Sequence, residues 1–156
     1  MKNREVVKHY DRLNSLFDKI KQLEGLDVET EMRSHWARYL CVLTSGFLEV
    51  SVRAIYSEYL RVRVDSSVFG FLEKGLKIQN PKMNKILDLA GAFNKDWEIE
   101  LRAFTEGELK DAVDSIVDVR NSISHGQDSG ITYVRIKQYY ESAVKVIEFI
   151  EEQCTR

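Results

Sequence analysis

Apolar residues recur at helical rather than alternating intervals along almost the whole chain. Over roughly residues 3 to 24, Val6, Val7, Tyr10, Leu13, Phe17, Ile20 and Leu23 gather on one side, and Gly25 ends the pattern. A much longer pattern runs from about Glu29 to Arg63. There Trp36, Leu40, Leu43, Phe47, Val50 and Ala54 form one stripe. Cys41, Leu48, Val52, Ile55 and Tyr59 form a second on nearly the opposite side. A helix apolar on two sides belongs in the middle of a bundle, because each stripe needs its own cover.

The shorter segments carry clear punctuation. DSSVFGFLEKGL predicts a short helix capped by Asp65 or Ser66. Asn80-Pro81 predicts a helix start, a capping side chain followed by proline at the first helical position, opening KMNKILDLAGAF. A short piece covers Lys95 to Phe104. Thr105-Glu106-Gly107-Glu108 then fits a capping box, and a helix runs to His125 with Gly126 as its C-cap. After the loop GQDSG, the last helix spans about Ile131 to Glu152, with Tyr133, Ile136, Tyr140, Ala143, Val144, Ile147 and Ile150 at helical spacing. No alternating strand, repeat or linker intervenes. The expected fold is all-α: one helical bundle over residues 1–156, built on a long central helix.

Composition agrees and narrows the function. At 156 residues and 44% hydrophobic content, the chain can bury a core without disulfides or metals and is too apolar for disorder. The single proline and eight glycines argue against a turn-rich β architecture. The N-terminus lacks an apolar leader core and no run approaches membrane-spanning length, so no membrane association and a cytoplasmic location are expected. Cys41 and Cys154 lack metal-type spacing, which suits a reducing compartment and no zinc site. With a formal net charge of −2, RNA binding would need a local basic patch, such as one assembled across subunits.

The chemistry concentrates in RNSISHG, residues 120–126. On an ideal helix, Leu109, Ala112, Val113, Ile116, Val119 and Ile123 form the core side. Asp111, Asp114, Asp118, Asn121 and His125 gather opposite. Arg120 falls near Leu109, Val113 and Ile116, where a guanidinium is costly unless partnered. One reading makes Arg120 a structural ion-pair partner of Glu49, which lies between the two stripes of the long helix, with His125 merely facing the helix dipole. The other reading is a metal-independent ribonuclease site. RNA brings its own nucleophile, the 2′-hydroxyl, so the protein need only move protons and stabilise a charged phosphorane. Histidine suits the first task, arginine the second, and asparagine can orient either. Arg120 and His125 diverge around a single helix, so such a site needs unwinding near Gly126 or a second copy across a two-fold axis. Spacing alone is weak support, since Arg4 and His9 repeat it by chance. RNxxxHG closing the penultimate helix is more specific.

RNSISHG, with SGFLEVSVRAIYSEYL on the long helix before it, resembles the HEPN superfamily of small all-α domains. NPKMNKILDLAGAFNKDW, DAVDSIVDVRNSISHG and ITYVRIKQYY are similar to the branch called RiboL-PSP-HEPN, over about Arg33 to Glu152. The resemblance implies a homodimer in which two motifs face one another across a cleft. It also implies RNA cleavage leaving a 2′,3′-cyclic phosphate and a 5′-hydroxyl, in a toxin or antiviral defence role restrained by an antitoxin or regulatory protein. Arg120 and His125 match the ends of the motif, Asn121 its polar second position, and Glu49 the acidic position on the long helix. Gln127 stands where toxins controlled by nucleotidyltransferase antitoxins carry a tyrosine, which argues against that control here. Some members are non-catalytic, so the alternative is a dimerisation or RNA-binding module with a structural Arg120.

Other candidates are weaker. The row Asp111, Asp114, Asp118 reads as a solvated face rather than a metal site, and it would repel phosphate. Arg53, Lys110, Arg135 and Lys137 are the candidate RNA-binding residues that offset it. Tyr133, Tyr139 and Tyr140 could stack bases, although Tyr140 matches a core stripe. His9 and His35 read as structural or surface residues. Ser122 precedes His125 by one turn without any oxyanion motif. No cofactor and no metal are expected.

Overall fold

The computed structural model describes residues 1–26 and 28–156. In chain order the helices are α1 (Arg4–Glu24), α2 (Thr30–Arg61), α3 (Ser66–Gly75), α4 (Met83–Phe93), α5 (Lys95–Thr105), α6 (Glu108–Ser124) and α7 (Tyr133–Thr155), with no strand among the described residues.

The two-sided apolar pattern of α2 has the expected result: α1, α3, α6 and α7 all pack on it. Leu40, Cys41, Phe47, Leu48, Val52, Ile55 and Tyr56 are buried along its length, whereas Trp36, Leu43, Val50 and Tyr59 stay partly exposed. By length and composition α2 could cross a membrane, contrary to the expectation that no run approaches that length. Its apolar surface is already used inside the bundle, where 61% of the apolar window is buried. Phe17 of α1 stacks on Tyr140 of α7 with ring centroids 4.8 Å apart, and Phe47 of α2 meets the same ring edge-on at 5.7 Å. Such pairs add about 0.5–1.5 kcal/mol beyond simple burial. Tyr140 is therefore a core residue, not a base-stacking one.

Capping joins distant parts of the chain. Asn3 caps α1 through the Glu5 and Val6 amides, and the backbone N–H groups of Lys2 and Asn3 donate to the buried Glu151 carboxylate of α7 at 2.6–2.9 Å. Asp65 caps α3 by accepting from the Ser67 N–H at 2.9 Å.

Two expected helix starts are corrected. Thr105 does not open α6; it is the last residue of α5, and its buried hydroxyl donates to the Leu101 carbonyl at 2.8 Å. Gly107 precedes α6 instead, with φ +88° and no side-chain cap, and this left-handed residue lets the chain reverse sharply. Nor does α4 begin beside Pro81. It begins at Met83, whose N–H donates 2.8 Å to Oδ1 of Asp114 on α6. The capping carboxylate comes from another helix, so local spacing could not reveal it.

Candidate active site

Helix α6 buries Ala112, Val113, Ile116 and Val117 against its neighbours, which directs its last turn out of the core. The terminus is a Schellman motif. The Gln127 N–H donates to the Ser122 carbonyl at 2.9 Å, the Gly126 N–H to the Ile123 carbonyl at 3.0 Å, and Gly126 has φ +69°. His125 is the capping residue, held by its own N–H to the Asn121 and Ser122 carbonyls at 3.1 and 3.2 Å. Its imidazole is exposed and has no hydrogen-bond or ion-pair partner among the described residues. Backbone geometry thus fixes where the ring starts while both ring nitrogens stay open. Arg38 of α2 anchors the loop beyond, reaching Asp128 at 3.2 Å.

Arg120, one turn earlier, is half-buried. Its Nη1 donates to Oδ1 of Asn80 at 3.3 Å and to Oδ1 of Asn121 at 3.2 Å. The expected ion pair with Glu49 does not form. Glu49 is half-buried on α2 without a hydrogen bond or ion pair among the described residues, and Arg120 turns towards the segment before α4 instead. This difference matters chemically. A carboxylate partner would cancel the guanidinium charge, whereas amide oxygens satisfy a donor and leave the charge in place.

The acidic row is not simply a solvated face. Asp114 caps α4 with one oxygen and meets Lys110 Nζ with the other at 2.7 Å; Asp118 meets Lys82 Nζ at 2.6 Å. These hydrogen bonds hold the ammonium pKa values of Lys82 and Lys110 above the ordinary lysine range. Two of the three acids that would repel phosphate are therefore neutralised locally, and Asp111 remains exposed.

Among the described residues, no hydrogen bond or ion pair joins the four candidate RNA-binding residues to Arg120 or His125. Lys110 is committed to Asp114. Lys137 lies 3.8 Å from Glu141 and over the Phe17 ring at 5.0 Å, while Arg135 reaches Gln138 at 3.5 Å and sits 6.0 Å from the Tyr139 ring. Arg53 lines a cleft of about 910 Å³ with Arg4, Arg63, Glu58 and Glu151. By helix rise, Arg53 stands about 22 Å along α2 from Arg38, the residue that anchors the loop after His125. Sequence reasoning missed Asn80, Lys82 and Arg38 as neighbours of the motif. Only the unusual Asn-Pro pair offered a signal, and it pointed to a helix cap. Among the described residues, no group of three His, Cys, Asp or Glu is placed to hold a metal ion.

A long central helix wrapped by six others, with RNxxxHG closing the penultimate one, defines a HEPN-type domain. The profile described as RiboL-PSP-HEPN matches residues 7–156, and the chain belongs to that family. The match takes in α1 as well, beyond the span from Arg33 that the motifs alone suggested. No curated protein and no solved structure matches the chain.

Proposed function

We propose that this chain is a metal-independent endoribonuclease that cuts RNA at a composite RNxxxH site across a homodimer. The observation that carries the reading is the state of Arg120: half-buried, held by two neutral oxygens, and without an ion-pair partner among the described residues. A residue kept merely for structure in that position would be expected to meet a carboxylate. An arginine that must receive a phosphate has to be held without being neutralised.

Five helical positions separate Arg120 and His125, so their directions differ by about 140°. Two copies about a two-fold axis would set Arg120 of one chain beside His125 of the other. One His125 takes the 2′-hydroxyl proton as O2′ attacks phosphorus. The P–O5′ bond breaks, and O5′ receives a proton from the second imidazole. The products are a 2′,3′-cyclic phosphate and a 5′-hydroxyl. Such proton transfer contributes roughly 10²–10⁴-fold, and Arg120 stabilises the phosphorane oxygens while Asn121 orients it. The setting we propose is cytoplasmic, with a toxin or antiviral defence role under a restraining protein.

The second reading, a non-catalytic dimerisation or RNA-binding module, draws support from the Arg120–Asn80 bond, which also ties two parts of the fold. One experiment separates them. The purified protein is incubated with a broad RNA panel in EDTA, beside His125→Ala and Arg120→Ala variants with native circular dichroism. Cyclic-phosphate ends that disappear in both variants support the enzyme; a panel left intact by the unmodified chain rules it out. Sedimentation at assay concentration tests the dimer, because full activity in a monomer would exclude a composite site.

A further inference from the structure

Asn80 is the only non-glycine residue with positive φ among the described residues, at +49°. It also precedes Pro81, whose ring crowds the preceding residue away from helical backbone. Asparagine tolerates this left-handed conformation better than most residues, but it still costs energy there. The turn is nonetheless held firmly: Pro81 is buried and the Lys82 N–H donates to the Asn80 carbonyl at 2.7 Å. From this backbone the Asn80 side chain reaches across to Nη1 of Arg120.

The strained residue sits at the end of a tightly docked segment. Residues 80 to 83 run antiparallel along α6 and are tied at three levels. The Met83 N–H meets Asp114 at 2.8 Å, Lys82 meets Asp118 at 2.6 Å, and Asn80 meets Arg120 at 3.3 Å. Only the last tie joins the segment to the RNxxxHG motif. It occupies Nη1 of Arg120, while Nε and Nη2 make no hydrogen bond among the described residues. That free edge is the one a planar guanidinium uses to bind two phosphate oxygens at once.

We propose that Asn80 is a positioning residue of this site: it grips one terminal nitrogen of Arg120 and presents the opposite edge, still charged, to a phosphodiester oxygen pair. This rests on the ribonuclease reading for its consequence in catalysis, but not for the grip itself. The choice of an amide is part of the proposal. A carboxylate at this position would hold Arg120 more strongly and spoil it for phosphate.

Two variants test this. Asn80→Gly keeps the left-handed backbone and deletes the amide; Asn80→Asp keeps the reach and adds a negative charge. Positioning predicts that kcat falls about tenfold in Asn80→Gly, with KM changed less than about twofold. Asn80→Asp should lose at least as much, although a purely structural tie would be preserved or strengthened by it. Wild-type kcat in both variants overturns the proposal. The second readout is the ¹H–¹⁵N spectrum of the Arg120 guanidinium, which needs no activity. Restrained rotation in the intact chain that becomes fast in Asn80→Gly supports the grip; an unchanged signal overturns it. If the intact protein cleaves no RNA, the ribonuclease reading fails alone, and these spectra still decide the role of Asn80.

Discussion

Removing the Asp114 carboxylate should loosen the start of α4, a helix that begins 31 residues upstream. Asp114 Oδ1 accepts from the N–H of Met83, a fully buried residue, at 2.8 Å. Alanine at 114 leaves that donor without its acceptor, a loss of about 1–3 kcal/mol, in the range of losing a helix cap. The accompanying pair with Lys110 is only partly buried and adds about 1 kcal/mol at most. For a domain of 156 residues, about 2 kcal/mol corresponds to a fall in Tm of roughly 4–8 °C. Asp114→Asn retains the accepting oxygen and should lose less than about 1 kcal/mol. Urea and thermal unfolding followed by circular dichroism at pH 7 measure both. The reasoning fails if Asp114→Ala lies within about 0.5 kcal/mol of the wild type, or if asparagine is as damaging as alanine.

Three further outcomes are expected. Gly126→Ala forces a Cβ onto φ +69° and should cost about 1 kcal/mol in urea unfolding, because it opens the Schellman turn that places His125. Tyr56→Phe should be neutral or stabilising by up to about 1 kcal/mol, since the buried Tyr56 hydroxyl has no hydrogen-bond partner among the described residues; a clear loss of Tm would refute this. Burial pushes the Cys41 and Cys154 thiols from their ordinary value of 9.0 up to about 12, and also raises the phenols of Tyr56 and Tyr140. Groups whose folded pKa is raised contribute stability below their unfolded pKa and lose it as pH climbs towards the folded one. Unfolding free energy should therefore decline above about pH 9, and a thiol reagent at pH 8 should label both cysteines only after unfolding. Rapid labelling of the native protein would contradict the burial argument.

The helices were legible because burial repeats locally: α2, expected from about Glu29 to Arg63, spans Thr30–Arg61. Helix starts were less so. Thr105 had the right chemistry for a cap, but its hydroxyl is satisfied within α5, while Met83 takes its cap from α6. The same limit applies at the candidate site. Helical periodicity put Arg120 on a side where it needs a partner, yet the partner is an amide 40 residues away rather than Glu49. A helical wheel cannot distinguish an acidic row facing water from one that receives a docked loop. Asp114 and Asp118 are the second kind. The family motif was readable in the residues; the support around it was not, because it is built from contacts distant in sequence.

The Glu151 carboxylate accepts backbone N–H groups 148 and 149 residues away, at the entrance to α1. The clasp ties the segment that leads into α1, including its capping residue Asn3, to the last turns of α7. Faster amide exchange at residues 2 and 3 in Glu151→Ala would reveal that dependence; unchanged exchange would refute it. Fraying at the end of α7 would therefore also release residues 2 and 3.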